Sequence, residues 1–149
     1  MGMEKKTPLG FRLRTLNNEI NRYLDRRARE QGLDDATLSN MWVLRVLYEN
    51  RRHDVFQKDL EVECGLARST VTGIVKLMES KGLLRRESVP EDLRLKKLTL
   101  TEEGIAAHKT MVHISAELER TLTKGVTVDE RAAFAAMLRR MQRNLRIGS

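Results

Sequence analysis

Cysteine is almost missing from this chain, and the absence excludes a good deal. Cys64 is the only one in 149 residues, so no disulfide framework can form within the chain, and a cysteine-based zinc or iron–sulfur site lacks its ligands. A reducing compartment is expected. Proline is nearly as scarce, with only Pro8 and Pro90, which read as boundary marks in a chain of helices joined by short turns. No run of about 18 apolar residues is present to span a bilayer, and the opening MGMEKKTPLGFRLR holds no apolar segment long enough for a secretory signal. The expectation is a soluble, cytoplasmic protein with no membrane partner. Also missing are an activated-nucleophile motif, a glycine-rich phosphate loop and a Glu/His metal motif, so an enzyme is not expected and no cofactor is implied.

What is present is positive charge. Lys and Arg number 28 against 21 Asp and Glu, a formal charge of +7 with a pI near 9.9, which favours a polyanionic partner. Charge alone does not place the site, because residues 1–31 and 68–97 carry the same tally of basic and acidic residues. Nucleic acid and an anionic surface both fit the charge, so the motifs must decide.

Apolar periodicity gives the organisation. Leu13, Leu16, Ile20, Tyr23 and Leu24 recur at helical spacing from Phe11 to Gln31, and Gly32 stops the run. A second helix, capped by Asp34, Asp35 or Thr37, runs through Asn50 with apolar residues nearly all round, the pattern of a buried helix. Asp54-x-x-Gln57 has capping-box spacing and opens a short helix from Gln57 to Cys64, ended by Gly65. The next helix, about Ala67 to Lys81, carries Val71, Ile74, Val75 and Met78 on one face. Arg68, Ser69, Thr72, Gly73 and Lys76 lie on the other. After Gly82 the pattern changes to two strands, Leu84–Val89 and Leu95–Leu100, around a turn of residues 90–94. A long helix begins at Thr101 with Glu102 and Glu103 behind it. Gly125 breaks that helix, and Thr127-x-x-Glu130 caps a last one bearing Phe134, Met137, Leu138, Met141 and Leu145.

A short helix, a glycine turn, a second helix with a polar outer face and then a hairpin is the order of a winged helix-turn-helix, whose second helix enters the major groove of DNA. Leu60, Leu66, Val71 and Ile74 have the spacing to fix the angle between the helix pair. The stretch QKDLEVECGLARSTVTGIVKLMESKGLLRR (57–86) followed by VPEDLRLKKLTLTEEG (89–104) resembles the MarR family of winged-helix regulators. Asp92-Leu93-Arg94 stands where that family carries an Asp-x-Arg wing tip, and Leu100-Thr101-Glu102-Glu103-Gly104 where it starts the next helix. Ser69-Thr70-Val71-Thr72, with Glu79, Lys81, Gly82 and Leu83, matches its recognition helix and exit. Two departures stand out. Glu61 occupies a position where helix-turn-helix pairs want a small residue, and Phe56 replaces a capping Thr, leaving Asp54 as the alternative cap.

The resemblance implies a mainly α fold with a small β-hairpin wing, as one MarR-like domain over residues 1–149. A winged helix-turn-helix lobe would cover about 38–101, with dimerisation helices at 11–32 and 102–147. It implies a homodimeric transcriptional regulator, most often a repressor, on pseudo-palindromic double-stranded DNA. The alternative is an architectural protein that holds nucleic acid without sequence choice, or a protein-interaction module.

Within that frame the residues take expected roles. The hydroxyls of Ser69, Thr70 and Thr72 near a helix start can meet phosphate or base edges, and Arg68 and Lys76 add charge. Arg68 can read guanine through its planar fork or bind phosphate. Arg94 resembles the family's minor-groove arginine, with Asp92 fixing its direction. Arg85, Arg86, Lys96 and Lys97 read as phosphate neighbours. The resemblance further implies a small aromatic or anionic effector in a cleft drawing on the first, second and fifth helices, with Trp42, Arg45, His108 and Met111 as lining candidates. Cys64 is expected to be a buried structural thiol, because Glu61 and Glu63 oppose thiolate formation. His108 and His113, five apart, fall on different helix faces, unlike a metal-binding pair.

Overall fold

A computed structural model describes residues 6–147. Its elements are α1 (Leu9–Glu30), α2 (Asp35–Ser39), α3 (Met41–Glu49), β1 (Val55–Phe56), α4 (Gln57–Cys64), α5 (Arg68–Ser80), β2 (Leu84–Val89), β3 (Asp92–Leu100), α6 (Glu102–Leu122) and α7 (Val128–Ile147). The strands form one antiparallel sheet in the order β1-β3-β2. Two compact units divide the chain, one up to Ser115 and one from Ala116.

The core of the first unit is built from α3, α4, α5, the sheet and the start of α6. Val43, Leu44, Leu60, Val71, Val75 and Met78 are wholly buried, with Leu84, Leu98 and Ala107 beside them. Among them, Leu44, Leu60, Val71, Val75 and Met78 are apolar positions that the sequence pattern put inside. Leu66 is the exception: it lies 36% exposed, so Leu60 and Val71 hold the helix pair without it. Gly65 takes φ +61, the left-handed conformation that ends α4 without a Cβ penalty. Gly104 answers a different demand, because a Cβ there would sit 2.0 Å from the Leu83 carbonyl oxygen. Only glycine lets α6 start this close to the exit of α5. Thr101 secures the same junction, donating to the Gly82 carbonyl at 2.5 Å and accepting from the Gly104 amide at 3.1 Å.

Several sequence expectations need correction. The helix expected to run through Asn50 is two, α2 and α3, broken at Asn40 (φ −120°, ψ 20°). Ser39 Oγ and Asn40 Nδ2 bond back to the Asp35 and Ala36 carbonyls, the local competition that polar side chains offer a helix. The wing is a three-stranded sheet, since Val55 and Phe56 pair with Leu98 and Lys97. Two residues are too short a run to show alternation. The hairpin turn is also tighter than expected: Val89 pairs with Asp92, so β3 begins at the motif's aspartate and only Pro90 and Glu91 lie between. Asp54 does not cap α4. It pairs with Lys97 at 2.8 Å, while Asp59 accepts from the Phe56 amide at 2.8 Å.

In the second unit, Thr127 and Glu130 close a reciprocal capping box at 3.1 Å each way. No residue of α7 is buried.

Candidate nucleic-acid interface

The outer face of α5 is polar because its apolar residues are spent on the core. Arg68, Ser69, Thr70, Gly73 and Lys76 are exposed, and Thr72 is half-buried. Thr72 is already engaged: its Oγ1 donates to the Arg68 carbonyl at 2.9 Å and accepts from Gln57 Nε2 at 2.6 Å. The hydroxyl therefore ties the start of α4 to the start of α5, leaving one lone pair free.

At the wing tip, Asp92 holds Arg94 by three bonds. Its carboxylate accepts from the Arg94 backbone amide at 3.0 Å, from Nε at 3.1 Å and from Nη2 at 3.2 Å. The Arg94 side chain projects 90% exposed, and its hydrogen bonds keep the Asp92 carboxyl below the usual carboxylate range. An exposed arginine is normally a disordered cation. This one is aimed, so less side-chain entropy is lost when it meets a partner.

Arg94 and Arg68 come together on one cleft of about 420 Å³, lined also by Gln57, Lys58, Glu61, Asp92 and Lys96. Glu61 finds no basic partner within the described residues and lies half-buried on the wall. Gln57 and Lys58 belong to this surface although the sequence reading passed over them. Their signal was the N-terminal position on the first helix of the pair, where free backbone N–H groups collect.

The remaining basic candidates separate. Arg85 is exposed, and Lys96 Nζ lies 2.9 Å from Ser88 Oγ. Arg86, by contrast, is clamped by Glu79, whose carboxylate accepts from its Nε at 3.1 Å, its Nη2 at 2.9 Å and its backbone amide at 3.0 Å. These bonds depress the Glu79 carboxyl and fasten the end of α5 to β2. Lys97 is likewise committed to Asp54, which raises its ammonium above the ordinary range. Both are better placed to hold the wing than to meet a phosphate.

The four pocket candidates, Trp42, Arg45, His108 and Met111, line a single cavity of about 410 Å³ with Met41, Val112 and Ser115. It draws on α3 and α6 only; no residue of α1 lines it. His108 is buried, and burial pushes its imidazole below the ordinary value. His113 is exposed, so the two histidines diverge as their spacing requires. Cys64 is half-buried rather than fully buried. Among the described residues, no cluster of His, Cys, Asp or Glu has the makings of a metal site. Nor is any described helix long and apolar enough to cross a membrane.

A short helix, a left-handed glycine, an exposed polar helix and an antiparallel hairpin with an aimed arginine define a winged helix-turn-helix of the DNA-binding class. The MarR family model matches residues 31–95, and over that stretch this chain is similar to a family of transcriptional regulators. It is 27% identical over 107 residues to an uncharacterised HTH-type transcriptional regulator, YdgJ, of Bacillus subtilis (strain 168), covering 72% of this chain. The match spans 64% of YdgJ's length. Among solved structures, the heme sensor protein PefR from Streptococcus agalactiae, in complex with heme, is 27% identical with a TM-score of 0.77. That match covers 93% of this chain and 94% of PefR. A MepR–DNA complex from S. aureus, 22% identical with a TM-score of 0.74 over 93% of this chain and 99% of that one, shares the fold.

Proposed function

We propose that this protein is a sequence-specific repressor that binds a pseudo-palindromic operator as a homodimer and is released by a small molecule. The observation that carries the DNA reading is the cleft shared by Arg68 and Arg94, which joins the exposed start of α5 to an oriented wing tip. In the proposed complex α5 lies in the major groove, with Arg68, Ser69, Thr70 and Lys76 facing it. Arg94 enters the adjacent minor groove, where the narrow A·T-rich form draws an arginine. The phosphate backbone between the grooves then passes the cleft, within reach of Lys58, Arg85 and Lys96. Thr72 acts through the lone pair it keeps. Arg86 and Asp92 serve as positioning groups, the first for the wing strand and the second for Arg94.

Dimerisation is supported by α1 and α7, of which α1 buries only Ala28 and α7 nothing. The Trp42–Arg45–His108–Met111 cavity is the proposed effector site, suited to a small molecule with an apolar body and negative charge. Its size and largely apolar lining favour that reading. That PefR is seen in complex with heme shows that a relative accepts a small molecule.

A nuclease footprint across DNA flanking the gene tests the proposal. One discrete protection with two-fold symmetry supports it. Uniform coating of the DNA would replace the repressor with an architectural protein.

A further inference from the structure

His108 and Thr37 are the only buried polar side chains among the described residues, and only His108 can change charge. Tyr48 packs on its ring with centroids 4.5 Å apart, and the Arg51 guanidinium carbon lies 4.1 Å from the centroid of that same Tyr48 ring. Among the described residues the imidazole has no hydrogen-bond partner, yet neither nitrogen is sealed away from access. Its accessible edge lines the cavity with Arg45, whose guanidinium likewise has no ion pair among the described residues. Two nitrogen groups without partners thus share one apolar chamber walled by Met41, Trp42, Met111 and Val112.

Resting on the effector reading above, we infer that the cavity takes an organic anion whose charge sits between Arg45 and His108, and that His108 takes up a solvent proton as the anion binds. In the empty protein the charged groups acting on the ring are Arg45 and Glu49 of α3 and Arg51 just beyond it. One turn away on its own helix, Gly104, Ile105, Met111 and Val112 carry no charge. Burial, chiefly, and then the two arginines disfavour an imidazolium; only Glu49 favours it. The empty site therefore holds a neutral ring at neutral pH. An anion beside the ring reverses the local sign and favours the imidazolium. Binding and protonation are then linked: the bound protein holds more protons than the empty one, so affinity rises as pH falls. The rise is confined to the interval between the ring's ionisation in the two states and is flat on either side. Acidification would make a fixed dose of such an effector a stronger releaser of DNA.

Isothermal calorimetry on the full chain with 2-naphthoate as probe and neutral 2-naphthamide as control tests this. Titrations from about pH 7.5 to 5.5, in buffers of differing ionisation heat, report proton uptake directly; an aromatic carboxylate stays ionised there, as a glutamate does. The expected result is naphthoate binding with uptake approaching one proton and up to about tenfold tighter per pH unit. Naphthamide should show neither effect, and His108→Gln should bind naphthoate more weakly with the slope abolished. Naphthoate bound without proton uptake, or a slope that survives in H108Q, would overturn the inference while leaving the effector cavity standing. Failure of both probes to bind at millimolar concentration would remove the effector reading, and this inference with it.

Discussion

Helices α5 and α7 are both amphipathic, yet the first buries Val71, Val75 and Met78 completely and the second buries nothing. On α7, Phe134 is 43% and Met137 47% exposed. The difference shows what an apolar stripe can and cannot say. Periodicity tells which face avoids water, and the rest of the molecule decides what covers it. For α5 the cover is α3, α4 and the sheet of the same unit. For α7 we propose a second copy of the chain, because apolar patches of several hundred Å² rarely persist on soluble monomers.

The comparison can be broken most decisively by removing α7. Deleting residues 127–149 should abolish dimers in sedimentation and lower operator affinity toward the non-specific level, about a thousandfold or more. A truncated chain that binds the operator as tightly as before would leave α7 without the role proposed. On the buried side, Leu60→Ala should cost about 2–5 kcal/mol in denaturant unfolding, since it opens a cavity between α4 and α5. Gly104→Ala should also destabilise, by about 1–3 kcal/mol, as the new methyl group drives α6 off the Leu83 carbonyl. Phe134→Ala should change monomer stability far less than either.

Smaller effects sharpen the contrast between structure and recognition. Arg94→Ala should weaken operator binding by about 1–3 kcal/mol in gel-shift titrations while leaving the unfolding midpoint unchanged. Asp92→Asn should have the same signature at reduced size, because it loosens Arg94 without removing it. The smallest effect is on pH. Asp34, bonded to Lys81 and the Thr37 amide, Glu79 and Asp92 all ionise below the usual carboxylate range. Their stabilisation is therefore complete above that range and lost only as pH falls through it. Buried His108, depressed in the folded chain, adds a loss that begins below about pH 6.5 as the unfolded imidazole protonates, so Trp42 fluorescence should report a modest decline from there and a further one below about pH 4.

Much of this was legible in the sequence, for identifiable reasons. Helices that end at a glycine or open with a capping box, such as α4, α5 and α7, are specified by residues close together in the chain. The Asp92–Arg94 pair was legible because its partners are two residues apart. What escaped was set by distant partners. Two-residue β1 exists only because β3 is there to pair with it. Asp54 looked like a cap until Lys97, far along the chain, claimed it. Arg86 and Thr72 looked available for phosphate until Glu79 and Gln57 engaged them. Motif matching marked a surface without telling which of its polar groups are already occupied.

The most direct test is selection of duplexes from a random pool by the full-length protein. Two subunits with one α5 each should enrich a two-fold symmetric site with half-site centres about 10–10.5 base pairs apart. Enrichment of a single asymmetric half-site, or of no sequence at all, would contradict the account.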